Sequence, residues 1–493
     1  MQRKWLTLLL ASVATFMLLL DVTVVNVALP EIQRDLGADL SSLQWVVDAY
    51  ALMLAALLLT AGSLGDRLGR RRVFSGGFAL FTFASFLCGI AGDATLLNLA
   101  RGLQGAGAAA MFSTAMALIA QEFEGRDRAT AFGVWGATVG GAVAIGPLVG
   151  GLLTEHLGWE WIFFVNIPIG LAAIALTELR LPNIAAQDPS PIDVPGLLTF
   201  SGSLFCLIFA LIRGNPEGWD SPLIVSLLVA SAVLIAAFVV IERSRANPML
   251  DLALFRRPAF NGVSAVAFCL SAGMFAMFLY LTIYIQGVLG YSPLEAGLRF
   301  LPLSLLSFFV APLAARLSNY IPSGLLMAAG LTCVGVGLLS MRGIEPSSEW
   351  THLIPGFLLG GAGIGMVNPN IGTVAISVVS QERAGMASGI NTTFRQVGIA
   401  TGVAALGAVF QGSIDSKVAA AIPAAPPELA EAVASGGTAA ATAVAPPEFT
   451  TQVAAAADVA FTSALNEILL IGAIIAFAGA LAGGVLVRDV EAH

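Results

Sequence analysis

Apolar residues in this 493-residue chain gather in fourteen runs. They fall at about 5–29, 43–64, 73–92, 95–119, 129–153, 161–178, 195–213, 222–241, 260–286, 296–315, 322–341, 352–377, 389–411 and 464–487. Each holds roughly 20 residues, enough for a helix of ~30 Å that crosses a hydrocarbon layer. The pattern predicts an all-α integral membrane protein with fourteen transmembrane helices. Residues 412–463 break the rhythm, being rich in Ala and Pro, with Ala-Pro-Pro-Glu at 425–428 and again at 445–448. Proline followed by Glu suits a helix start, so one or two short helical pieces are expected there on the outer face, with a mobile linker as the alternative.

Charge sets the orientation. With the N-terminus cytoplasmic and the runs alternating, most of the 23 Lys and Arg fall inside, including Arg67, Arg70, Arg71, Arg72, Arg256 and Arg257. Arg34, Arg213, Arg342 and Lys417 fall outside, while Arg101, Arg299 and Arg395 lie within runs. That bias places both termini in the cytoplasm. Only 11% of residues are charged, against roughly 25% in soluble domains. This excludes an ordinary soluble enzyme and a basic nucleic-acid binder.

Little else suggests catalysis. Lys4 and Lys417 follow Arg3 and Ser416, so no Gly-Lys-[Ser/Thr] phosphate loop exists. Cys88, Cys206, Cys269 and Cys333 are far apart, and His156, His352 and His493 form no metal motif. The expectation is no enzyme, no metal and no cofactor.

A shift of about 250–256 residues aligns weak internal echoes. Leu64–Leu68 meets Leu313–Leu317, Gly105-Ala106-Gly107 meets Gly361-Ala362-Gly363, and Arg128-Ala129 meets Arg383-Ala384. The chain thus divides into a six-helix bundle at 1–180, two inserted linker helices at 181–257, and a second bundle at 258–493 with an outer loop at 412–463. Two parallel repeats around a midplane site are a transporter architecture. The second copies lack the charges of the first, since Asp66 meets Ala315 and Arg101 meets Phe357.

Asp21 is read as the acid deep in a run. A carboxylate there must be paired, protonated or wet, which suits a proton carrier. Arg101, in the fourth run, differs from it in depth by only about 3 Å and is its expected partner. Gly62, Asp66, Arg67, Gly69 and Arg70 belong to a glycine- and arginine-rich turn between the second and third runs. Asp66 could cap the N-terminus of the thirteenth run, on the same side of the membrane. Gly146, Pro147, Gly150 and Gly151 should give the fifth run a kinked, close-packing surface. Asn26, Tyr280, Tyr284, Asn368, Asn391, Arg395 and Gln396 are candidate linings of a cavity for amphipathic ligands. Interhelical hydrogen bonding would equally account for each of them.

The stretch Leu20-Asp21-Val22-Thr23-Val24-Val25-Asn26-Val27-Ala28-Leu29-Pro30 resembles the first-helix signature of the fourteen-helix drug:proton antiporters of the major facilitator superfamily. Gly62–Arg72 is similar to the superfamily's signature loop, Arg101–Gly107 to its fourth-helix motif, and Gly146–Gly151 to the antiporter motif. Trp159–Pro168 and Ala384–Gln396 resemble the same subfamily. The resemblance implies the major facilitator fold and proton-coupled export of hydrophobic or cationic drugs by alternating access, from a monomer in a bacterial cytoplasmic membrane. It implies that Asp21 and Arg101 couple protons, that Asp66 and its neighbours latch a cytoplasmic gate, and that Gly146 and Pro147 govern packing between the halves. Two departures stand out. Glu160 occupies a usually basic position, and the second half lacks deep acids, which points away from multivalent cations and from more than one coupled proton. The expected partners are a small-molecule substrate, protons and membrane lipids, with no nucleic acid. A dedicated exporter of a lipid or secondary metabolite is the main alternative. An uptake symporter and a non-transporting membrane sensor are further ones.

Overall fold

The computed structural model describes residues 3–37, 40–123, 125–181, 192–245, 248–379, 384–422, 426–445 and 449–487, and their regular structure is helical throughout. Six helices come first: α1 (Arg3–Leu36), α2 (Leu40–Leu68), α3 (Arg70–Gly89), α4 (Ala94–Glu122), α5 (Gly125–Leu157) and α6 (Trp161–Arg180). Then come α7 (Val194–Glu217) and α8 (Pro222–Ser244). The last group is α9 (Pro258–Val288), α10 (Leu301–Leu317), α11 (Ser323–Ser340), α12 (Trp350–Ser377), α13 (Ala384–Ala421), α14 (Pro427–Val444) and α15 (Thr450–Leu486). Twelve of these are long and apolar enough to cross a membrane. The 33-residue α5 and the 17-residue α10 occupy the other two predicted positions.

The segment 412–463 differs from the expected pattern. Helix α13 continues to Ala421, α15 begins at Thr450, and α14 lies between them. Alanine is the strongest helix former, so an Ala-rich stretch extends its flanking helices rather than looping out. Gly437 interrupts α14 with a φ of 65°, a left-handed conformation that glycine adopts without strain.

Buried apolar side chains gather by group. One cluster runs from Val263 to Val487, confined to α9–α15 and the segments joining them. Two others draw on α1–α6 and their flanks, apart from Ile376 of α12. Helix α7 lies across the seam. Its Phe200 and Leu204 pack with Ala56 and Leu59 of α2 and with Met386 and Ile390 of α13. Thr60 of α2 shares a 2.7 Å hydrogen bond with Ser201, and Asn215 Nδ2 donates to the Ala404 carbonyl of α13 at 2.9 Å. Only 17% of the most apolar window of α8 is buried, against 83% for α4, so α8 lies on the outside of the bundle.

Glycines set the closest approaches. In α12, an added Cβ on Gly361 would lie 2.3 Å from the Leu303 carbonyl of α10, and one on Gly363 would lie 2.3 Å from the Gly330 carbonyl of α11. This alternating glycine stripe is therefore a packing surface.

Candidate functional site

Two buried charges of the first six helices, Asp21 and Arg101, form the centre of one network. Arg101 Nη1 of α4 pairs with Asp21 Oδ2 of α1, and both side chains are buried. Asp21 Oδ1 accepts from Gln104 Nε2 at 2.8 Å and from Asn166 Nδ2 of α6 at 3.4 Å. Arg101 also donates through Nε to the Val46 carbonyl at 2.8 Å and through Nη1 to Gln104 Oε1 at 2.5 Å. The Tyr50 ring lies 4.4 Å from its guanidinium carbon, a cation–π contact. The guanidinium cannot lose its charge. If Asp21 took a proton, Val46, Gln104 and Tyr50 would still hold Arg101. The arrangement can thus lose one anion and keep its cation in place.

Close packing on α5 supports that network. An added Cβ on Gly146 would stand 1.8 Å from Thr23 Oγ1, two residues beyond Asp21. One on Gly150 would meet Val24 backbone atoms at 3.2 Å, while Gly151 has open space. Helix α5 runs without interruption from Gly125 to Leu157. The Pro147 and Asn26 side chains lie outside the described residues.

A second network sits at the arginine-rich end, which the Lys/Arg bias assigns to the cytoplasm. Gly69, at φ 99°, is the single non-helical residue between α2 and α3, so the turn needs glycine. Gly62 is buried within α2. Asp66 Oδ1 accepts from Arg70 Nε and Nη2 at 3.0 and 2.9 Å. Its Oδ2 accepts from the Met386 backbone N–H at 2.9 Å, in the first turn of α13. The anion thus meets the positive end of a helix from the other half of the chain. Arg70 Nη1 reaches Ala117 O and Gln121 Oε1 of α4, and Arg67 Nη2 donates to Pro248 O at 3.2 Å.

The candidate cavity residues are scattered. Tyr280 OH donates to Val403 O at 2.9 Å, and its ring packs on Phe410. Tyr284 OH donates to Ser348 O at 3.4 Å, and its ring stacks on Phe461. Both tyrosines belong to the apolar core of the last group. Asn368 of α12 and Asn391 of α13 are buried, and Asn368 Oδ1 and Asn391 Nδ2 have no partner. Arg395 and Gln396 are half-buried on α13.

Asp21 is not alone among acids within spans. Asp48 lies half-buried in α2, in the field of Arg213, and Glu242 is buried near the end of α8, accepting from the Leu250 N–H at 3.3 Å. Both sit near run ends, where a run-based reading treats acids as loop residues. Sequence reading also passed over Gln104 and Asn166, since neutral amides carry no charge signal.

Among the described residues, twelve helices long and apolar enough to cross a membrane mark a multi-pass membrane protein. The chain belongs to the Major Facilitator Superfamily, whose profile matches residues 11–403. It is 39% identical over 417 residues to a puromycin resistance protein of Streptomyces alboniger, covering 83% of this chain and 82% of that one. It is 38% identical over 405 residues to the multidrug resistance protein Stp of Mycobacterium tuberculosis, covering 82% and 75% respectively. Among solved structures, the proton:xylose symporter XylE superposes with a TM-score of 0.64 at 13% identity, covering 97% of this chain and 94% of that one. That likeness is one of fold.

Proposed function

We propose that this protein is a proton-coupled exporter of amphipathic, antibiotic-like compounds, working by alternating access in a bacterial cytoplasmic membrane. One observation carries the reading: the buried Asp21 carboxylate is held by three donors, one of them the fixed cation Arg101. Protonating Asp21 removes its attraction for Arg101, so proton binding and helix contact are linked. Helices α1–α6 and α9–α15 are the two halves that rock, with α7 and α8 as the linker. Asp66, seated on the N-terminus of α13, latches their cytoplasmic ends. Gly146 and Gly150 keep α1 and α5 close enough for movement at Asp21 to be felt on both helices. Asn368, Asn391, Arg395 and Gln396 form part of the substrate wall. The resistance relatives support export over uptake.

The test uses the full chain in liposomes with an imposed pH gradient and a fluorescent amphipathic drug. Wild type is expected to move the drug against its gradient. Asp21→Asn is expected to lose uphill movement while still exchanging drug between compartments. Uphill movement at the wild-type rate in Asp21→Asn contradicts the reading. The puromycin relative, named for one compound, supports a second reading, a dedicated exporter of a single metabolite or lipid. A transport screen in which one compound class alone moves would select it.

A further inference from the structure

We propose that Arg395 and Asn391 form an acceptor-binding site that favours planar aromatic compounds bearing a carboxylate or phenolate over aromatic cations; this rests on the transport reading above. Helix α13 is enclosed by α2, α4 and α7 on one side and by α9, α12 and α15 on the other. Arg395 and Gln396 are half-buried on this helix. Among the described residues, Arg395 makes no hydrogen bond and no ion pair. Its guanidinium carbon lies 5.7 Å from the Phe275 ring of α9, a cation–π contact. One turn earlier on the same face, Asn391 is 1% exposed and its Nδ2 has no acceptor. One turn later, Gly398 packs on Ser271 of α9, whose hydroxyl is buried and unpartnered.

The unmet groups of α13 and α9 beside Arg395 share a character, whereas Asn368 Oδ1 of α12 is an unmet acceptor. A guanidinium offers five N–H donors and no acceptor, an amide nitrogen only donates, and a hydroxyl can do so. What is missing is an acceptor, best an anion. No Asp or Glu occurs in α9, α10, α11 or α12, nor in α13 before Asp415. Of the acids elsewhere in the spans, Asp21 is engaged by Arg101, Asp66 by Arg70, Glu242 by the Leu250 N–H and Asp458 of α15 by the Thr438 hydroxyl, while Glu467 of α15 is exposed on the outside of the helix group. Asp48 sits in the field of Arg213. The complement must therefore come with the substrate. The planar fork of arginine matches a carboxylate in two parallel hydrogen bonds. Phe275 beside it offers a ring for an aromatic body. A cationic drug would meet the Arg395 charge with no local anion to offset it.

The experiment compares binding of anthracene-2-carboxylate and 2-(aminomethyl)anthracene, probes with one ring system and opposite charge, to the purified full chain in detergent by fluorescence anisotropy. Wild type is expected to bind the carboxylate more tightly. Arg395→Gln should weaken the carboxylate about tenfold or more and leave the ammonium unchanged or tighter. Arg395→Lys should keep the preference with intermediate affinity. Asn391→Ala, which leaves the cation in place, should weaken the carboxylate roughly threefold to tenfold. Equal weakening of both probes in Arg395→Gln, or no weakening of the carboxylate in either the Arg395 or the Asn391 variant, overturns the proposal. Binding in detergent needs no gradient, so a failure of proton coupling leaves this result readable.

Discussion

Two arginines lie inside the bundle in opposite circumstances. Arg101, among α1–α6, is fully buried and meets Asp21, Gln104, the Val46 carbonyl and the Tyr50 ring. Arg395, on α13, is half-buried and, among the described residues, has a cation–π contact with Phe275 but no hydrogen bond or ion pair. The same side chain therefore does two jobs. A charge whose partners are all present is part of the fold and can be released only by changing one of them. A charge whose partners are absent contributes little to the fold and stays free for a ligand. Deep charge alone does not separate these roles; the completeness of the surrounding hydrogen bonds does.

Substitutions that strip one arginine and then the other sharpen this contrast. Arg101→Ala should have the largest effect, because it leaves Asp21 buried without its cation. The expected loss is about 3–5 kcal/mol, seen as a large fall in thermal stability in detergent together with abolished transport. Gly146→Ala comes next. Its Cβ collides with Thr23, and overpacking of this kind costs about 1–3 kcal/mol. Gradient-driven transport should fall more than tenfold, whereas Gly151→Ala, which meets open space, should behave as wild type in the same assay. Asp66→Ala removes a helix cap and the partner of Arg70, at about 1–2 kcal/mol. Hydrogen exchange should rise in the first turn of α13. Arg395→Gln should have the smallest effect on stability, within about 0.5 kcal/mol of wild type or slightly stabilising, because no partner is orphaned. Equal melting losses for the Arg101 and Arg395 variants would erase the distinction.

Much of this architecture is legible in the amino-acid order. Each of the fourteen apolar runs meets a helix, because a helix is the simplest way to satisfy backbone groups inside a membrane. The pairing of Asp21 with Arg101 followed from matched depth, and the cap of Asp66 on α13 from a shared membrane side. Other features had no such signal. The amides Gln104 and Asn166 complete the Asp21 network through contacts 83 and 145 residues away in sequence. The Pro-Glu start near residue 427 marked α14, but nothing in the apolar pattern marked the extension of α13 to Ala421 or of α15 back to Thr450, which alanine's helix propensity supports. Helices α7 and α8 gave no hint of purpose in sequence. In the structure α7 bridges the two groups, Ser201 bonding α2 and Asn215 bonding α13. Substrate charge was equally hidden. The family resemblance pointed to hydrophobic or cationic drugs, whereas the unpaired donors around Arg395 favour acidic ones.

The most direct test of the central claim is proton release on drug binding. Purified wild type in weakly buffered detergent solution, mixed with a transported drug, should release protons as Asp21 returns to its pairing with Arg101. Asp21→Asn should bind the drug and release none. Proton release from the Asp21→Asn variant equal to that of wild type would contradict the account and move the coupling site elsewhere.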